Sequence, residues 1–83
     1  MLDIEKIKTQ LNESISCQHL EIKTDNNHFM IIIVSNMFND LKTVKRQQMV
    51  YQPLMSFIQD GSMHAVSIKT FTPKEWEKQK LFF

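Results

Sequence analysis

Few side chains in this 83-residue chain can do chemistry: the imidazoles of His19, His28 and His64, the thiol of Cys17, and a cation cluster of Lys42, Lys45 and Arg46. A neutral imidazole can ligate a metal or take a proton, and it changes charge close to neutral pH. His64 opens the run His64-Ala65-Val66-Ser67-Ile68-Lys69, where apolar Val66 and Ile68 alternate with polar Ser67 and Lys69. That period of two marks a strand with one buried face and puts His64 on the packed side, where a histidine caps a sheet. His28 shares parity with Met30 and Ile32, so packing is an open reading for it too. His19 lies in a strand with exposed neighbours and reads as solvated. Cys17 has no nearby base or second cysteine and reads as a small structural residue. Lys42, Lys45 and Arg46 form either a solvated helix face or a patch for an acidic partner or for DNA phosphates. Nowhere do a nucleophile, a base and an orienting group come together, so the chain reads as no enzyme.

Periodicity places the elements that must hold these residues. Asp3 caps a helix whose Ile4, Ile7, Leu11 and Ile15 form one apolar stripe, ending near Ser14 to Ser16. His19 to Lys23 alternate as a strand, Asp25-Asn26-Asn27 make a turn, and a second strand starts at His28. In that strand Phe29, Ile31 and Ile33 point one way and Met30, Ile32 and Val34 the other, the mark of a central strand. The short connection makes the pair an antiparallel hairpin. Met37-Phe38 form a short helical turn. From Thr43 to Gln59 the residues Val44, Val50, Tyr51, Leu54, Met55, Phe57 and Ile58 fit one amphipathic helix, kinked or restarted at Pro53 and ended by Asp60-Gly61. The last strand runs from His64 to about Phe71. Thr72-Pro73-Lys74-Glu75 then supplies an N-cap hydroxyl, a first-turn proline and a glutamate able to close a capping box, with Trp76 anchoring the helix that follows. The six methionines read as core filler, and Leu81-Phe82-Phe83 as an apolar tail. The order αββαβα, with a long helical crossover, predicts an α+β fold: a mixed three-stranded sheet with helices packed on it.

Size and composition set limits. Residues 1–83 suffice for one domain with a single two-layer core, and 42% apolar with 23% charged residues is a folding composition. The longest apolar run, Phe29 to Val34, is far short of the roughly 20 residues that cross a bilayer. The chain starts with acid where a secretory leader carries base, and its single cysteine forms no internal disulfide; a cytoplasmic protein with no membrane partner is expected. One glycine, Gly61, cannot build a phosphate-cradling loop.

The stretch from Thr43 to Leu54, followed by the run from His64 to Trp76, resembles the BolA family, in particular its short bacterial IbaG-like branch. The pairing of an H-A-V-S-I-K strand with a T-P-K-E-W helix start carries the likeness. It implies a class II KH-like domain, the BolA-like two-layer sandwich, and a non-catalytic partner of monothiol glutaredoxins in iron-sulfur cluster trafficking or stress response. In such pairs a [2Fe-2S] cluster is shared: the glutaredoxin and its glutathione supply thiolates, and the BolA protein a histidine at the start of its last strand, which His64 matches. A second ligand comes from the loop before the second strand, where His28 is the candidate. Both lie at strand starts on adjacent elements and can meet at one edge of the sheet. Imidazole ligation is acid-sensitive, because a histidine of pKa about 6.5 loses its lone pair on protonation. Docking would use His64, His28 and the basic helix start together, and alone the chain would be a monomer or weak homodimer. The alternative is a DNA-binding regulator using the basic helix from Thr43, against which stands the lack of a GXXG loop.

Overall fold

The computed structural model describes residues 3–25 and 28–82, so Asn26 and Asn27 of the expected turn and Phe83 of the tail lie outside the described residues. The elements follow the predicted order: α1 (Ile4–Ser14), β1 (His19–Asp25), β2 (His28–Val34), α2 (Thr43–Gln59), β3 (Ala65–Phe71) and α3 (Pro73–Gln79), with 3-10 turns at Asn36–Phe38 and Lys80–Phe82. Asp3 caps α1 by accepting the Glu5 N–H at 2.9 Å. The capping box of α3 is complete: Thr72 Oγ1 accepts from Glu75 N at 3.1 Å and a Glu75 carboxylate oxygen accepts from Thr72 N at 2.9 Å. Pro53 lies inside α2, which continues through it as one element. Gly61 takes the positive φ, 81°, that the end of α2 requires.

The strands form one sheet in the order β1-β2-β3. β1 and β2 are antiparallel, pairing Asp25 with His28 and His19 with Val34; β2 and β3 are parallel, pairing His28 with Ala65 and Val34 with Phe71. Since successive side chains alternate between faces, Phe29, Ile31 and Ile33 face one side. There they join Ile7, Leu11 and Ile15 of the first helical segment, Val50 and Leu54 of α2, and Phe38 and Met63 in one buried core. Ile32 and Val34, on the other parity, are also buried. The rings beside Val34 are covered by α3: Trp76 stacks on His19 with centroids 5.0 Å apart and lies 5.4 Å from Phe71.

Several side chains depart from the periodicity. Val44, expected in the apolar stripe of α2, is 67% exposed, whereas Val50 and Leu54 of the same helix are buried. Met37 and Met55 are exposed rather than core filler, and Leu81 lies open. Buried Ser35 is satisfied: its hydroxyl donates to Ser16 O at 2.7 Å and accepts from Met37 N at 3.0 Å, tying the end of β2 to the segment between α1 and β1.

Candidate functional site

Parallel pairing puts the first residues of β2 and β3 at the same end of the sheet. His28 begins β2, and its register partner Ala65 directly follows His64. Two histidines on neighbouring chain segments therefore share one end of the molecule, and both are exposed. The expected strand start is corrected by one residue: β3 begins at Ala65, and His64 lies just outside it rather than on the packed side. Met63 explains the shift. It is the buried core residue at this point of the chain, with its N–H donating to Phe57 O at 3.0 Å, whereas His64 after it is exposed.

His28 has a defined partner. Its Nε2 lies 2.8 Å from the hydroxyl of Ser67 on β3. Ser67 pairs with Met30, two residues beyond His28, so the contact runs diagonally across the two strands on one face, within reach of a histidine side chain. Sequence reading missed this pairing, since nothing in the period of two reveals the register between strands far apart in the chain.

The cations lie elsewhere. α2 returns from the end of β2 to the start of β3, so Lys42, Lys45 and Arg46 sit at the opposite end of the sheet, about 20 Å away for strands of this length. The structure does not bring them to the histidines. Lys42 and Lys45 are exposed. Arg46 is committed to the fold: Nη1 and Nη2 donate to the two Glu75 carboxylate oxygens at 2.7 and 3.3 Å, Nε donates to Leu41 O at 2.9 Å, and the guanidinium stands 5.9 Å from the Phe38 ring centroid. The pair is one-sided, the arginine side chain 12% exposed and the glutamate 47%.

The hydrogen bond from Arg46, helped by the Thr72 N–H, holds the Glu75 carboxyl below the usual carboxylate range. A depressed folded-state pKa means stability that is fully present above the unfolded value, about 4.3, and lost as pH falls through the lower folded value. Glu75→Gln retains the capping geometry and removes the charge. It is expected to lower stability at pH 7 by less than about 1 kcal/mol, since the carboxylate is wet. Denaturant titrations of both proteins from pH 7 to pH 2 are expected to converge at the acid end; a constant difference across that range would refute the assignment.

Cys17 is half-buried with its thiol donating to Ile15 O at 3.3 Å, and burial raises its pKa. His19, read as solvated, keeps 37% of its side chain exposed and also stacks on Trp76 and lies 3.0 Å from a Glu21 carboxylate oxygen through Nε2. Among the described residues no three His, Cys, Asp or Glu side chains converge on a metal position, and no helix is long and apolar enough to cross a membrane.

Comparison with known proteins agrees with this architecture. Acid stress protein IbaG of Escherichia coli is 41% identical over 75 residues, covering 90% of this chain and 89% of the relative. A bol-like protein from Babesia bovis superposes with a TM-score of 0.82 at 28% identity, covering 96% of this chain and 95% of that one. The BolA domain of SufE1 from Arabidopsis thaliana gives a TM-score of 0.76 at 29% identity, covering 90% and 99%. The family model for BolA-like proteins matches residues 4–75, from the first turn of α1 to the capping glutamate of α3, and the chain belongs to that family.

Proposed function

We propose that this protein is a non-catalytic adaptor that pairs with a monothiol glutaredoxin and co-ligates a [2Fe-2S] cluster through His64 and His28. The observation that carries this reading is the parallel register of β2 and β3, which presents two exposed imidazoles at one end of the sheet. Exposed imidazoles fit the role, being borderline ligands suited to iron while a thiolate-rich partner occupies the remaining positions. When bound, such a cluster supplies one-electron redox chemistry at a potential raised by imidazole ligation. The chain's own part is to present two imidazoles at one end of the sheet, His28 on β2 and His64 just before β3. Membership of a family with a stress-protein relative agrees with a stress-response setting, and the composition with a cytoplasmic one.

The DNA-binding alternative has less to work with. Of the three clustered cations, Arg46 is spent on Glu75, which leaves Lys42 and Lys45 exposed at that end. Titration of a cluster-loaded monothiol glutaredoxin with this protein is expected to convert its visible absorption and circular dichroism to a new form that saturates at a one-to-one ratio. An unchanged spectrum would overturn the adaptor reading.

A further inference from the structure

The diagonal contact between His28 and Ser67 decides which ring nitrogen is available to a metal. A neutral imidazole carries one N–H and one lone pair, so whatever occupies Nε2 determines the state of Nδ1. Ser67 Oγ stands 2.8 Å from Nε2, and parallel pairing of β3 with β2 holds the hydroxyl at that place. If the hydroxyl donates, the ring proton resides on Nδ1 and no lone pair remains for a metal. If the hydroxyl accepts, the proton resides on Nε2 and the Nδ1 lone pair is open. Histidines that ligate metals usually pass their other N–H to an oxygen acceptor, which fixes the tautomer and orients the ring.

We propose that Ser67 is a positioning residue for His28: its hydroxyl oxygen accepts the Nε2–H hydrogen bond and so presents the Nδ1 lone pair as the donor to iron. The inference rests on the cluster reading above. His28 Nδ1 would then be the atom offered to the iron, and the ring would keep its Nε2 hydrogen on Ser67. Threonine at this position would keep the hydroxyl and suit a strand, whereas alanine would remove the acceptor.

Two measurements on the full chain test this. Long-range proton-nitrogen correlation spectra of the metal-free protein at pH 8 are expected to show His28 protonated on Nε2 in the wild type and in Ser67→Thr; protonation on Nδ1 overturns the proposal. In the glutaredoxin titration Ser67→Ala is expected to shift the midpoint to about 10–100-fold higher concentration, with Ser67→Thr restoring it. If the wild type converts the spectrum and Ser67→Ala does so at the same midpoint, the role of Ser67 is overturned while the cluster reading stands. If the wild type itself fails to convert it, both fall. A serine that merely supported the sheet would change the melting temperature without moving the tautomer.

Discussion

His64→Ala is expected to abolish the spectral conversion of a cluster-loaded monothiol glutaredoxin while leaving the protein folded. The imidazole is exposed and the neighbouring core place belongs to Met63, so its removal opens no cavity and exposes no buried partner. Surface changes of this kind stay within about 0.5 kcal/mol of the parent stability. The loss of function follows from ligand number. If this chain contributes two nitrogens, deleting one halves its hold and leaves an iron position to solvent. Lys45→Glu, at the other end of the sheet, is expected to leave the conversion intact and to change only the rate of association and its salt dependence. Conversion by His64→Ala at the wild-type midpoint would refute the ligand assignment.

Phe38→Ala is expected to have the largest effect on stability. Phe38 is fully buried in the 3-10 turn after β2, among the core side chains and beneath the Arg46 guanidinium. Truncating a core phenylalanine costs about 3–5 kcal/mol through lost burial and the cavity left behind. A domain this small has only about 4–12 kcal/mol to lose, so the melting temperature is expected to fall by more than about 12 °C. Val44→Ser provides the contrast: the valine is exposed, and thermal melts should place this variant within a few degrees of the parent. A Phe38→Ala protein melting like the wild type, or a Val44→Ser protein melting like Phe38→Ala, would mean that the packing at this end has been misassigned.

Local signals in the chain are legible because their physics is local. The two-sided apolar pattern of Phe29 to Val34 predicted a central strand, and β2 has a neighbour on each side. The Thr72-Pro73-Lys74-Glu75 signal predicted a capping box, and both its hydrogen bonds are present. The misreadings concern side chains whose partners are remote. His19 reads as solvated from its exposed neighbours in the strand, but the ring stacked on it, Trp76, arrives from the last helix. Arg46 looked like a displayed charge because it lies on the polar side of α2, and Glu75 reaches it only once β3 is in place. The start of β3 at Ala65 is hidden for a related reason: alternation says which residues share a face, not where a strand begins. The family resemblance singled out the two histidines, but the Ser67 contact appears only with the register between β2 and β3.

That register also sets a sequence of events during folding. β1 and β2 meet through a register that pairs Asp25 with His28, close in the chain, so little loop-closure entropy opposes the hairpin. β3 joins only after the whole crossover has been closed, and contacts of such long range form slowly. The hairpin therefore displays His28 early, whereas its Ser67 partner and the neighbouring His64 arrive with the last strand. A nascent or partly unfolded chain offers one imidazole without its companion, and the two-nitrogen end exists only in a molecule that has completed its sheet.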